Sequence, residues 1–139
     1  MIRYFNEDIH FVLKDKLLNN RWLKLVAGSE IRSIGDVNII FCSDKYILDI
    51  NIRYLNHDYY TDIITFDYCE GKKLSGDLFI SIDSVRENAL EYGVEFIDEL
   101  HRVMVHGLLH LIGYDDHTPE EAKIIHEKED YYLKLRNIV

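Results

Sequence analysis

The stretch His106-Gly107-Leu108-Leu109-His110-Leu111-Ile112-Gly113-Tyr114-Asp115-Asp116-His117 constrains this chain more than any other. Its two leading histidines are four residues apart, a spacing that stacks them on one face of a helix, one turn above the other. The chain has seven histidines, so a chance pair has to be weighed against a designed one. The surrounding residues Val103, Met104, Val105, Leu108, Leu109, Leu111 and Ile112 are apolar, so this helix reads as buried. Burying two imidazoles without partners costs roughly 1–3 kcal/mol for each unsatisfied group. A metal ion supplies the missing partner. Gly113 falls where the helix should stop, because glycine takes the left-handed conformation of a terminating residue cheaply. The bend can then return a third ligand. Spacing favours Asp116, while His117 is the better zinc ligand by type and stands as the alternative.

A chain of 139 residues suffices for one domain with a real core, and residues 1–139 read as a single metallohydrolase domain. No apolar run approaches the length of a membrane span, and the N-terminus lacks a signal-peptide layout. The expectation is a cytoplasmic protein with no membrane contact. Cys42 and Cys69 lack metal spacing and read as reduced and unbridged. The formal net charge of −9 argues against a general nucleic-acid binder. It still allows an enzyme that docks RNA through a local basic patch. The lysines and arginines (Lys14, Lys16, Arg21, Lys24, Arg32, Lys72, Lys73) read singly as solvated surface.

Periodicity gives the element order. Residues 2–5 suit a short strand, and Phe11, Val12, Leu17, Leu18, Trp22, Leu25 and Val26 predict an amphipathic helix over 10–26. Residues 37–42 read as a buried strand, followed by a helix capped by Ser43 or Asp44 and running to Leu55. Residues 63–66, with Tyr68 as an extension, and 77–82 predict an antiparallel hairpin around a turn at Gly71-Lys72-Lys73. Three helices follow: one from Asp83 or Ser84 to Tyr92, one over 96–112, and one opened by the capping box Thr118-Pro119-Glu120-Glu121. The fold class is therefore α/β (α+β), a small mixed four-stranded sheet with about five helices and the metal-binding helix in the C-terminal third.

The stretch from His106 resembles the H-G-x-L-H-L-x-G-Y-D-H signature of the YbeY family, bacterial endoribonucleases that act as rRNA maturation factors. Asn51, Tyr54, Asp58 and Thr61-Asp62-Ile63-Ile64-Thr65-Phe66 resemble the family's L-N-x-x-Y-R-x-K-D-x-P-T-D-V-L-S-F block. Gly76-Asp77-Leu78 with Ile80 is similar to its G-D-I-x-I strand. The resemblance implies one zinc ion and cleavage of single-stranded rRNA, with maturation of the small-subunit 16S rRNA 3′ end and ribosome quality control. It also implies the small ribosomal subunit as partner, with a ribosomal protein or an Era-type GTPase beside it. Two positions depart from the pattern. Asp116 stands at the family's third, histidine, metal position. Leu55 stands where the family has an arginine thought to serve catalysis, and His57 replaces the lysine two positions on.

Three protein ligands would leave one zinc position open to water, as in a catalytic site. Cleaving a phosphodiester builds charge on phosphate oxygens and needs a further cation, for which His57 or Arg53 is the candidate substitute. Asp62 and Asp67 border the hairpin strand and are candidate bases, with Asp62 preferred. Asp115 reads equally as a partner of a ligand histidine or as a turn residue. Tyr59, Tyr60 and Phe66 could stack on unpaired bases. His101 lies roughly 140° round the helix from His106 and should not share its metal. His10 and His126 read as helix-surface or capping residues. Two rivals remain: a zinc metallopeptidase or other metallohydrolase, and a non-catalytic ribosome assembly factor with a structural metal. The first is disfavoured because Gly107 occupies the place of the glutamate base in H-E-x-x-H.

Overall fold

The structure, a computed structural model, describes residues 1–58 and 61–139. The elements in chain order are β1 (Ile2–Asn6), α1 (Lys16–Ser29), β2 (Ser33–Cys42), α2 (Asp44–Leu55), β3 (Ile63–Asp67), β4 (Lys73–Ser81), α3 (Ile82–Tyr92), α4 (Phe96–Ile112) and α5 (Pro119–Arg136). The strands form one mixed sheet in the order β1-β2-β4-β3. β2 runs parallel to β1 and β4, and β3 runs antiparallel to β4 with Thr65 opposite Leu78. The expected fold class, hairpin and element order are all present.

Alternation along the strands sorts side chains to two faces. On one face Ile39 and Phe41 of β2 and Leu78 and Ile80 of β4 pack with Trp22, Leu100, Met104, Leu108 and Tyr132 in the main core. On the other face Cys42 and Ile64 meet Ile47 and Ile50 of α2 in a smaller cluster. α4 is the central helix, with Leu100, Met104, Val105 and Leu109 fully buried. Its residue Gly107 lies so close to the sheet that an added Cβ would sit 2.7 Å from Ile63 Cδ1 and 3.0 Å from Leu78 Cδ1. The missing side chain lets the helix backbone approach β3 and β4 this closely.

Three expectations need correction. The first helix does not begin at residue 10. Asp15 adopts left-handed backbone angles (φ 59°, ψ 42°), and the helix starts only at Lys16. Phe11 reaches the core from irregular chain, edge-on to Phe41 and Phe96, which mimics helical spacing in the sequence. His10 therefore lies outside any helix. The buried stripe of α1 is Asn19, Trp22, Leu23, Val26 and Ala27, while Leu17 is 81% exposed and Val12 and Leu25 also face solvent. Asn19 supplied no apolar signal, yet its side chain accepts from Arg136 Nε at 2.9 Å and donates to Lys14 O at 3.2 Å. Second, β2 and β4 begin earlier than expected, at Ser33 and Lys73, and are irregularly paired between Ile34 and Val37. Third, Tyr68 falls beyond β3, although its N–H still donates to Ser75 O at 2.9 Å.

Two caps follow the sequence signals: Ser43 caps α2 by accepting from the Tyr46 N–H, and Thr118 with Glu121 forms a complete capping box on α5. α3 instead begins one residue early, at Ile82, because the Ser81 hydroxyl at the end of β4 accepts from the Ser84 N–H and caps it. Cys42 and Cys69 are free thiols. Among the described residues, no helix is long and apolar enough to cross a membrane.

The close seating of α4 yields a stability prediction. Gly107→Val should lower the unfolding free energy by about 1–3 kcal/mol or more, because the branched side chain overpacks Ile63 and Leu78. Urea denaturation followed by circular dichroism reads this as a lower midpoint at unchanged slope.

Candidate metal centre

His106 and His110 project from a partly covered face of α4, each with about a fifth of its side chain exposed. Their rings meet edge-to-face with centroids 4.5 Å apart, and their Nε2 atoms are 2.9 Å apart. The helix stops at Gly113, whose φ of 125° few side chains tolerate. Tyr114 then donates its N–H to Leu109 O at 3.0 Å and its hydroxyl to Glu30 Oε1 at 2.6 Å. Lys128 and the Tyr132 hydroxyl also donate to Glu30, so one carboxylate ties the bend to the end of α1 and to α5. Burial alone would raise the pKa of Glu30, but these three donors hold it below the usual range.

The bend returns Asp116 to the histidines, with Oδ2 3.5 Å from His106 Nε2 and 3.7 Å from His110 Nε2. The three ligand atoms lie within 4.8 Å of one another. Two imidazole nitrogens and a carboxylate oxygen converging this closely suit a small divalent cation, so the residues fit the metal that their types suggest. His117 is left outside, 79% exposed, with Nε2 3.8 Å from Asp115 Oδ1. Asp115 lies 3.9 Å from His110 Nδ1, too far for a hydrogen bond.

Two residues at this centre went unnoticed in the sequence. Glu129 of α5 places Oε2 2.5 Å from His106 Nδ1, with only 6% of its side chain exposed. Arg102 of α4 pairs with Glu129 Oε1 at 2.9 Å and Asp130 Oδ1 at 2.6 Å. Ile125, Glu129 and Tyr132 are the buried residues of α5, so an acid in an otherwise apolar stripe was the available signal. A carboxylate on Nδ1 fixes the tautomer that leaves Nε2 as the ligand atom. Burial disfavours a charge on His106, but the bond to Glu129 outweighs it and raises the pKa. His110 is held below the usual histidine value by burial and by the neighbouring His106, which keeps its ring neutral.

A groove of about 450 Å³ runs over the cluster and is lined by Leu55, His57, Asp62, Thr65 and Asp67 along with the three ligand candidates. Both candidate catalytic residues, His57 and Asp62, thus line the same groove as the metal-ligand candidates. Asp62 is held by Asn88 Nδ2 at 3.2 Å, and burial raises its pKa, partly offset by His106. Arg53 is not part of the groove wall and instead pairs with Asp49 at 3.2 Å on exposed surface. His101 is buried edge-on to Trp22, and burial pushes its pKa down to about 4, so it belongs to the core. His126 is largely exposed on α5, 3.7 Å from Asp130. Phe66 packs edge-on between Tyr54 and Phe79 and is a packing residue. Tyr59 and Tyr60, read as base-stacking candidates, lie outside the described residues.

Known proteins similar to this chain share one family description. The family model described as Endoribonuclease YbeY matches residues 5–137. A protein of Bacteroides thetaiotaomicron named Endoribonuclease YbeY is 49% identical over 135 residues, covering 97% of this chain and 98% of its own length. One of the same name from Cytophaga hutchinsonii is 50% identical over 136 residues, covering 97% and 95%. The solution structure of TM1509 from Thermotoga maritima superposes with a TM-score of 0.69 at 31% identity, covering 98% of this chain and 89% of that one.

The ligand geometry makes two predictions. Asp116→Ala should strip bound metal, whereas His117→Ala should leave the metal content of the purified protein intact, as elemental analysis reads it. Glu129→Gln should weaken metal affinity by about 10–100-fold, measured by chelator competition, because Gln cannot hold the Nδ1 proton as a charged acceptor.

Proposed function

The chain belongs to the YbeY endoribonuclease family, and on that premise we propose that it is a zinc-dependent, single-strand-specific endoribonuclease. The observation that carries this reading is the convergence of His106, His110 and Asp116 in the lining of a groove of about 450 Å³. A bound divalent cation there would supply Lewis-acid polarisation of a phosphate oxygen and a lowered pKa for water.

The protein's own residues take the remaining roles. Glu129, braced by Arg102, orients the His106 ring so that Nε2 faces the groove. Asp62 is half-buried beside His106 with an upshifted carboxyl, which suits it to accept the proton of the attacking hydroxyl. His57 lines the same groove next to Leu55, and its imidazole can donate to a phosphate oxygen where an aliphatic side chain cannot. Whether the attacker is water or the RNA 2′-hydroxyl, these two roles are the same.

Both rivals fit the molecule less well. Position 107 is a glycine facing Ile63 and Leu78, so it supplies no carboxylate for the peptidase arrangement. A structural metal would call for a closed ligand set, and among the described residues only three candidates converge at a centre that borders open cavities. The proposed setting is maturation of small-subunit rRNA in the cytoplasm, at the 16S 3′ end and in ribosome quality control. The partners would be the small subunit with a ribosomal protein or Era-type GTPase. A net charge of −9 fits an enzyme that reaches RNA with the help of such partners, since its own surface offers phosphate little attraction.

The purified protein should cut single-stranded RNA, leave duplex RNA and casein intact, lose activity to chelation and regain it with zinc. His57→Ala and Asp62→Asn should each reduce cleavage by about 10²–10⁴-fold with metal content retained. Casein hydrolysis, or RNA cleavage insensitive to chelation, would overturn the reading.

A further inference from the structure

We propose that the cavity on the α5 side of the metal cluster is a nucleobase subsite, in which the Glu99 carboxylate reads a guanine flanking the scissile phosphodiester. The inference rests on the endoribonuclease reading and extends it to base selection.

The cavity measures about 540 Å³, within the usual range for small-molecule sites. Asp62, His106 and Asp116 line both it and the groove, so one ligand can span the two. Val103, Ile125 and Leu133 give it apolar walls suited to a planar ring. Glu99 lies seven residues before His106, on the same face of α4. It is 5% exposed, and among the described residues no hydrogen bond or ion pair reaches its carboxylate. Glu99 itself lines this cavity, together with Asp62, Arg102 and Glu129. Among the described residues its oxygens have no protein partner and are not sealed off, so they stay open to a ligand with N–H donors.

Charge decides which part of an RNA enters. Arg102 is already engaged by Glu129 and Asp130, and the carboxylates of Asp62, Asp98, Glu99 and Asp116 also line the cavity. Phosphate is repelled and stays over the groove, while an uncharged base can cross. Single-stranded RNA offers its Watson–Crick edges for this kind of reading. Guanine alone presents two adjacent donors, N1–H and the 2-amino group, to the two oxygens of one carboxylate. Its O6 beside them can accept from the Arg102 guanidinium. Adenine, cytosine and uracil each set an acceptor next to the donor, which a carboxylate oxygen repels.

The test uses the full-length, metal-loaded protein. Nuclear magnetic resonance titration with guanosine, inosine and adenosine needs no variant and no cleavage. Guanosine should bind at least about tenfold tighter than inosine, which lacks the 2-amino group, and than adenosine. Glu99→Gln should remove this preference while melting no lower than wild type, since no native partner is lost. Sequencing of fragments from a randomised single-stranded RNA pool should show guanine enriched at one position beside the cut, and E99Q should flatten that enrichment. Equal binding of the three nucleosides, or displacement of guanosine by magnesium or spermidine at equal concentration, overturns the assignment. RNA cleavage without guanine preference, and without guanosine binding, sinks the base subsite and leaves the endoribonuclease reading standing. Glu99-dependent guanosine binding without RNA cleavage does the reverse.

Discussion

The close approach of α4 to β3 and β4 at Gly107 is the contact on which the site depends. With no side chain at that position, the helix backbone lies against Ile63 and Leu78, and the apolar residues around it fill the main core. The histidines on either side of Gly107's turn are then carried at the margin of a fully packed helix, with little freedom to drift. The same contact determines what chemistry is absent. In helix-borne zinc peptidases the residue after the first histidine supplies the base. Here that residue points into the sheet, while Asp62, just before β3, lines the groove beside the histidines.

Around that seat the electrostatics form a chain from Arg102 through Glu129 to His106. Every link is at least partly buried, and Glu129 is nearly sealed from water. A buried charge of this kind is strongly destabilising when its partner is removed and only modestly favourable when paired. Its value here is orientation, because the carboxylate dictates which nitrogen of His106 faces the groove. α5 is therefore part of the site as well as part of the scaffold. Its capping box at Thr118 and the Glu30 contacts with Tyr114, Lys128 and Tyr132 fix how far along α4 it sits, and so whether Glu129 reaches its histidine.

Much of this was legible in the residues. The helix over 96–112, the glycine stop, the capping box and the hairpin follow from local rules, and each sits where those rules place it. The pairing of His106, His110 and Asp116 is legible for the same reason: all three lie on one helix and the bend that ends it. What was not legible depends on contacts distant in sequence. Glu129 looks like one more acid on an acidic helix until α5 packs on α4. Glu99 looks like a first-turn acid of α4 until its carboxylate is enclosed. The start of α1 was misplaced because Phe11 mimics helical spacing from irregular chain, and the left-handed backbone of Asp15 has no unique sequence signature. Asn19 was overlooked because a buried amide partnered by Arg136 lies outside any apolar pattern.

The central claim is that one divalent cation sits between His106, His110 and Asp116. The most direct measurement is anomalous X-ray scattering at the zinc edge from crystals of protein purified without added metal. The account predicts a single strong peak at bonding distance from Nε2 of both histidines and from an Asp116 carboxylate oxygen. A peak coordinated by His117 in place of Asp116, or no peak at these residues after zinc is supplied, would contradict it.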